Sequence, residues 1–257
     1  MSGIGRSALV VGVSLMATAC GRKGALIYPD MLMPAAPSAV TVLQSGAVVK
    51  MSFAIPDKDR AGKPVRDVAG IKISRKAADA EQKDQCRSCM ADYTLFSTLY
   101  LEHLPTNTQR AGSILFILDG DVSEGYSYSY TIVPFTAGGI QGASATTASV
   151  RVVHALPAPQ LRVESLPTEL RLHATSQSIP EGTTLLGYNL YRWTAVKKRS
   201  YQPLNREPIS STADYVDSGL ERRVLYSYSA RALFKMPSGN VVESAESDVV
   251  AGMLADD

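Results

Sequence analysis

The sequence predicts an all-β chain folded as two tandem β-sandwiches. Three observations lead to that reading: apolar side chains recur at strand period, the chain repeats itself at domain scale, and a proline pair divides the repeats. In the first repeat Val49, Met51 and Phe53 alternate with polar residues, as do Ile71 and Ile73, and then Tyr128, Tyr130 and Ile132. In the second, Leu170, Leu172 and Ala174 keep the same spacing, followed by Leu186, Tyr188 and Leu190 and by Tyr226, Tyr228 and Ala230. Side chains two apart share one face of a strand, so each run presents one apolar face, and two sheets packed face to face bury it. Beyond the first nineteen residues no segment carries a helical stripe.

The repeat shows when the chain is laid on itself. At a shift of 98 residues Asp119, Val122, Tyr128 and Tyr130 fall on Asp217, Leu220, Tyr226 and Tyr228. Upstream, Gly70 to Arg75 matches Gly187 to Arg192 at a shift of 117, so the first copy carries an insertion between Arg75 and Asp119. The boundary falls at Ala155 to Pro159, where Pro157 and Pro159 stiffen a short linker and limit any hinge. The expected units are therefore residues 39–155, with an inserted hairpin, and residues 156–255.

The N-terminus is of another kind. Arg6 precedes a short apolar run from Ala8 to Ala19, and Ala17-Thr18-Ala19-Cys20 closes it. Twelve residues are too few to span a bilayer, which takes about 20. The pattern resembles a bacterial lipoprotein signal. That resemblance implies removal of residues 1–19, a covalent lipid on Cys20 as the only attached group, and membrane anchorage. Gly21 rather than aspartate after the cysteine resembles the pattern sorted to the outer membrane, the side faced by the domains being left open. Residues 20–38 then form a tether, of which residues 21–38 could extend about 60 Å at most. Within it, Cys20 to Pro29 is similar to the start of the small outer-membrane lipopeptides that assist maturation of the lipopolysaccharide translocon. A spacer is the reading taken, and an assembly accessory acting through this segment is the alternative.

Charge excludes some partners. The chain has 26 basic and 24 acidic side chains, a formal net charge of +2, and only 19% charged residues. No polybasic surface for nucleic acid is implied.

A family resemblance rests on particular residues. In the second unit these are Pro157 to Leu161, Gly187-Tyr188-Asn189-Leu190-Tyr191-Arg192, Asp214 to Asp217, and Tyr226-x-Tyr228-x-Ala230-x-Ala232. In the first they are Gly70 to Arg75, Asp119 to Val122, and Gly125-x-x-Tyr128-x-Tyr130-x-Ile132. Together they resemble fibronectin type III domains, which implies immunoglobulin-like sandwiches with Tyr128 and Tyr226 as tyrosine corners. Where that family carries a tryptophan on its second strand, this chain has Phe53 and Ala174, so neighbours such as Trp193 or the tyrosines must refill the volume. Tyr126, Tyr128 and Tyr130 are expected on one face, turned to the core.

Nothing in the chain marks an enzyme. His103, His154 and His173 lack metal spacing, and there is no phosphate loop or nucleophile elbow, so no catalytic residue, metal or cofactor is expected. Cys86-Arg87-Ser88-Cys89 lies in the insertion. Haem attachment needs histidine where Met90 stands, zinc needs further ligands, and a redox pair needs a helix start. A disulfide closing the hairpin tip suits an oxidising envelope, and whether Cys86 and Cys89 bond to each other stays open. Asp57 to Arg60 is read as an exposed turn. The chain is thus expected to be a lipid-anchored binding or scaffolding protein that engages another envelope protein through edge strands and the hairpin at 86–90.

Overall fold

A computed structural model describes residues 31–79 and 92–256, and no α-helix occurs among them. The first sandwich holds β1 (Ser38–Ser45), β2 (Val48–Ala54), β3 (Val68–Asp79), β4 (Thr94–Tyr100), β5 (Thr108–Ala111), β6 (Ile114–Asp119), β7 (Tyr126–Thr136), β8 (Ala145–Thr146) and β9 (Val150–Arg151). One of its layers runs β1-β2-β6-β5; the other runs β4-β3-β7, with β8 and β9 both on the free edge of β7. The second sandwich is made by β10 (Gln160–Ser165), β11 (Glu169–Thr175), β12 (Thr184–Trp193), β13 (Tyr215–Ser218), β14 (Tyr226–Lys235), β15 (Val241–Glu243) and β16 (Val250–Gly252). There β10-β11-β13 faces β12-β14, with β15 and β16 along β14. In both, the first, second and fifth strands of the immunoglobulin-like order oppose the third, sixth and seventh. The protein is all-β and sandwich-built.

Alternation fills each core. Val49, Met51, Phe53, Ile71, Ile73, Tyr130 and Ile132 are fully buried in one cluster, and Leu170, Leu172, Tyr188, Leu190, Tyr228 and Phe234 in the other. Each such side chain contributes roughly 1.5–3 kcal/mol by leaving water. Beside Ala174 it is Tyr188 and Tyr228 that occupy the second cluster; Trp193 belongs to neither core. Two residues leave the expected face. A bulge between Leu185 and Gly187 lets Leu185 pack inward and turns Leu186 out. It takes a glycine, since Gly187 has φ +139° and a Cβ there would stand 2.6 Å from the Ile209 carbonyl oxygen. Tyr126 is 43% exposed because it opens β7, opposite Asp79 at the far end of β3.

The Tyr128 hydroxyl accepts the Ser123 N–H at 2.9 Å, and the Tyr226 hydroxyl accepts the Glu221 N–H at 3.0 Å. Each ties the loop before a strand to the strand itself. Tyr226→Phe keeps the ring and removes one bond, so urea denaturation is expected to show a loss of about 1 kcal/mol.

The two sandwiches share a sheet. Strand β1 pairs in parallel with β15, Gln44 opposite Val242 and Ser45 opposite Glu243. This joins one layer of each sandwich into an eight-stranded sheet, β12-β14-β15-β1-β2-β6-β5 with β16 on β14. The prolines are thus not the only restraint on the hinge. Gln44 is fully buried and clasps Val153, donating to its carbonyl at 2.7 Å and accepting its N–H at 2.9 Å. Beyond it, the Leu156 carbonyl accepts the Ala245 N–H at 2.8 Å.

The entry to the first sandwich is also fastened. The carbonyls of Met31 and Met33 accept N–H bonds from Ala61 and Arg60, and Pro34 accepts from Ala143. Any free leash therefore ends at Met31 and does not reach residue 38. In the turn at 57–60, Asp57, Lys58 and Arg60 are exposed, while Asp59 is buried with its carboxylate accepting the Lys63 N–H at 2.8 Å, and the loop grips the incoming chain.

Candidate functional site

The repeated residues meet as one motif, built twice. Arg75 on β3 reaches both carboxylate oxygens of Asp119, at 3.1 and 3.0 Å, and the Tyr130 hydroxyl donates to the same carboxylate at 2.7 Å. In the second sandwich Arg192 bonds Asp217 at 2.7 and 2.8 Å while Tyr228 donates at 2.7 Å. Burial, together with the neighbouring carboxylate, pushes both tyrosine hydroxyls well above their ordinary pKa. They stay protonated donors. Because the motif recurs in both units and each aspartate carboxylate is engaged by an arginine and a tyrosine, its chemistry is structural. The sequence showed the aligned arginine, aspartate and tyrosine but not that they touch.

A second polar cluster lies across the joint. Glu243 on β15 is 0% exposed, and its carboxylate accepts four bonds. Lys50 and Ser45 of the first sandwich each donate to Oε2 at 2.6 Å, while Asn189 and Tyr191 of the second donate to Oε1 at 2.7 and 2.9 Å. The Lys50 ammonium also lies 3.0 Å from the Tyr191 hydroxyl. Burial works to raise the Glu243 pKa, but the Lys50 charge and the donated bonds hold it below the usual carboxylate range. Burial lowers that of Lys50 in spite of Glu243. Strand alternation puts Lys50, Asn189 and Tyr191 on faces turned away from their cores, where water would be expected. The neighbouring sandwich covers them instead. A lysine flanked by core residues Val49 and Met51 was the available signal, but sequence alone does not say what covers that face.

Other named residues are placed singly. Cys20, Cys86 and Cys89 lie outside the described residues. His154 bonds Glu124 and His173 bonds Asp214, both in exposed positions. Among the described residues no three His, Cys, Asp or Glu side chains gather as a metal site. Strand β4 is an edge of its sheet and exposes Leu95 and Tyr100.

One open cleft, about 920 Å³ in volume, involves both sandwiches. Its walls are the loop after β12, the loop between β13 and β14, and Arg110 and Ala111 of β5. The first wall is well fixed. Gln109 donates to the Arg199 carbonyl and accepts the Tyr201 N–H, both at 2.8 Å, and Tyr201 donates to the Thr106 carbonyl at 3.1 Å. The Arg199 guanidinium packs over Tyr191 and Trp193 and pairs with Glu246 at 2.7 Å.

No protein-family model and no curated protein matches the sequence. Among solved structures the chain is similar to the FN1–FN3 domains of chicken CNTN1, with TM-score 0.31 and 12% identity over 87% of this chain and 68% of that one. It is similar also to the chicken interferon gamma receptor alpha chain, with TM-score 0.31 and 11% identity over 86% and 98%. At such scores the architecture stands on strand order alone.

Proposed function

We propose that this chain is a non-enzymatic, lipid-anchored protein of the bacterial outer membrane that presents a rigid two-sandwich body to another envelope protein. The locked joint is the observation that favours it: a shared sheet and a buried ion pair fix the relative position of two sandwiches, which suits holding a composite surface in shape. The anchor is read from Ala17 to Cys20. With Met31 onward docked, residues 20–30 can span at most about 40 Å, keeping the body near the membrane.

Two measurements test this. Cys20→Ser is expected to move the protein from the membrane to the soluble fraction and to abolish labelling by a radioactive fatty acid; unchanged fractionation would overturn the anchor. In whole-cell crosslinking, replacing residues 21–30 by a Gly/Ser spacer is expected to leave protein partners in place. Loss of those partners would shift the activity to the tether and its translocon-like segment.

A further inference from the structure

We infer that the cleft between the sandwiches is a docking groove for an acidic peptide segment of a partner protein. The inference rests on the scaffold reading above and names the chemistry of its partner. The groove is lined by the half-buried Trp193, Leu204 and Val224 with the buried Tyr226, an apolar floor of the kind that anchors side chains of a bound chain. Above it stand cations. Lys197 and Lys198 are exposed, and Arg110 faces them from the other sandwich. Among the described residues none of the three has an ion-pair partner, whereas Arg192, deeper in, is paired with Asp217. Glu221 is the one acidic residue of the lining. A chain of near-balanced net charge thus concentrates unpaired positive charge at one concave site.

The shape selects the occupant. A bilayer meets flat or convex surfaces, while a concave groove with an apolar floor and cationic margins fits an extended segment that alternates acidic and apolar side chains. The wall is preformed, since the Gln109 and Tyr201 bonds and the Arg199 stacking hold it, so little ordering cost falls on binding. One margin belongs to each sandwich, so the groove exists only while the joint holds.

Trp193 is the single tryptophan of the chain and lines the groove, so its fluorescence reports occupancy directly. Purified full-length protein is titrated with a short glutamate-rich peptide carrying interspersed leucines, with the lysine-for-glutamate counterpart, and with phosphatidylglycerol vesicles. The acidic peptide is expected to shift the Trp193 emission and to bind more weakly as salt rises. Lys197→Glu combined with Lys198→Glu is expected to weaken it about tenfold or more without moving the melting temperature, both side chains being exposed. Equal binding of both peptides, unchanged binding by the double variant, or a response to vesicles alone would overturn the groove. If the titration fails while whole-cell crosslinks persist, only the groove is wrong; if both fail, the scaffold reading falls with it.

Discussion

Glu243→Ala is expected to cost about 3–5 kcal/mol of stability, because it leaves Lys50 charged and buried without its counter-ion and strips partners from Ser45, Asn189 and Tyr191. Urea denaturation followed by Trp193 fluorescence measures it. A companion variant separates pairing from packing: Lys50→Met with Glu243→Leu removes both charges and is expected to recover most of the loss. A loss below 1 kcal/mol for Glu243→Ala would mean that the joint is held by strand pairing alone. The same pair sets a pH dependence. Glu243 has a folded pKa below its unfolded value, so its contribution is present above about pH 4.3 and is lost as pH falls through the folded value. The lowered pKa of Lys50 acts at the other end, where stability rises as pH climbs from its folded toward its unfolded value. The expected signature is acid loosening of the joint without a matching alkaline loss.

Asp119→Ala is expected to cost about 3 kcal/mol. The carboxylate is fully buried, and its loss takes the partner from the Tyr130 hydroxyl and from the Asp121 N–H, while Arg75 Nη1 keeps the Asp121 carbonyl at 2.6 Å. Asp121 also pairs with Arg75 at 2.9 Å, which limits the damage on the arginine side. In the second sandwich Arg192 has no such alternate carboxylate among its described bonds, so Asp217→Ala is expected to cost at least as much although its site is slightly more open. Thermal melts of the two variants make the comparison. An Asp119 variant that melts like the parent would show that the tyrosine and arginine find water without strain.

The cores were legible because strand alternation is a local signal. Val49, Met51, Phe53 and Tyr226, Tyr228, Ala230 could be read two residues at a time, and the repeat aligned Arg75 with Arg192 and Asp119 with Asp217. Leu186 was misread, because a bulge at a glycine resets the alternation and nothing local announces it. Of the two fillers offered for the missing tryptophan, the tyrosines take the volume and Trp193 does not, because the strand ends there and Trp193 lines the cleft. The joint was beyond reach. Its partners, Lys50 and Glu243, are separated by most of the chain, and only the pairing of the first strand with the fifteenth brings them together. The cleft inherits that difficulty, since its cations come from both halves.

The pairing of β1 with β15 also bears on how the protein is made. A chain emerging N-terminus first completes its first sandwich long before β15 exists. Through that interval β1 is a naked edge and Lys50 has no counter-ion, a state open to wrong pairing with other chains. Synthesis has to reach β15 before that edge is capped. The closing strand therefore reports that both sandwiches have been made, and a copy truncated before β15 would leave its own edge open to wrong pairing.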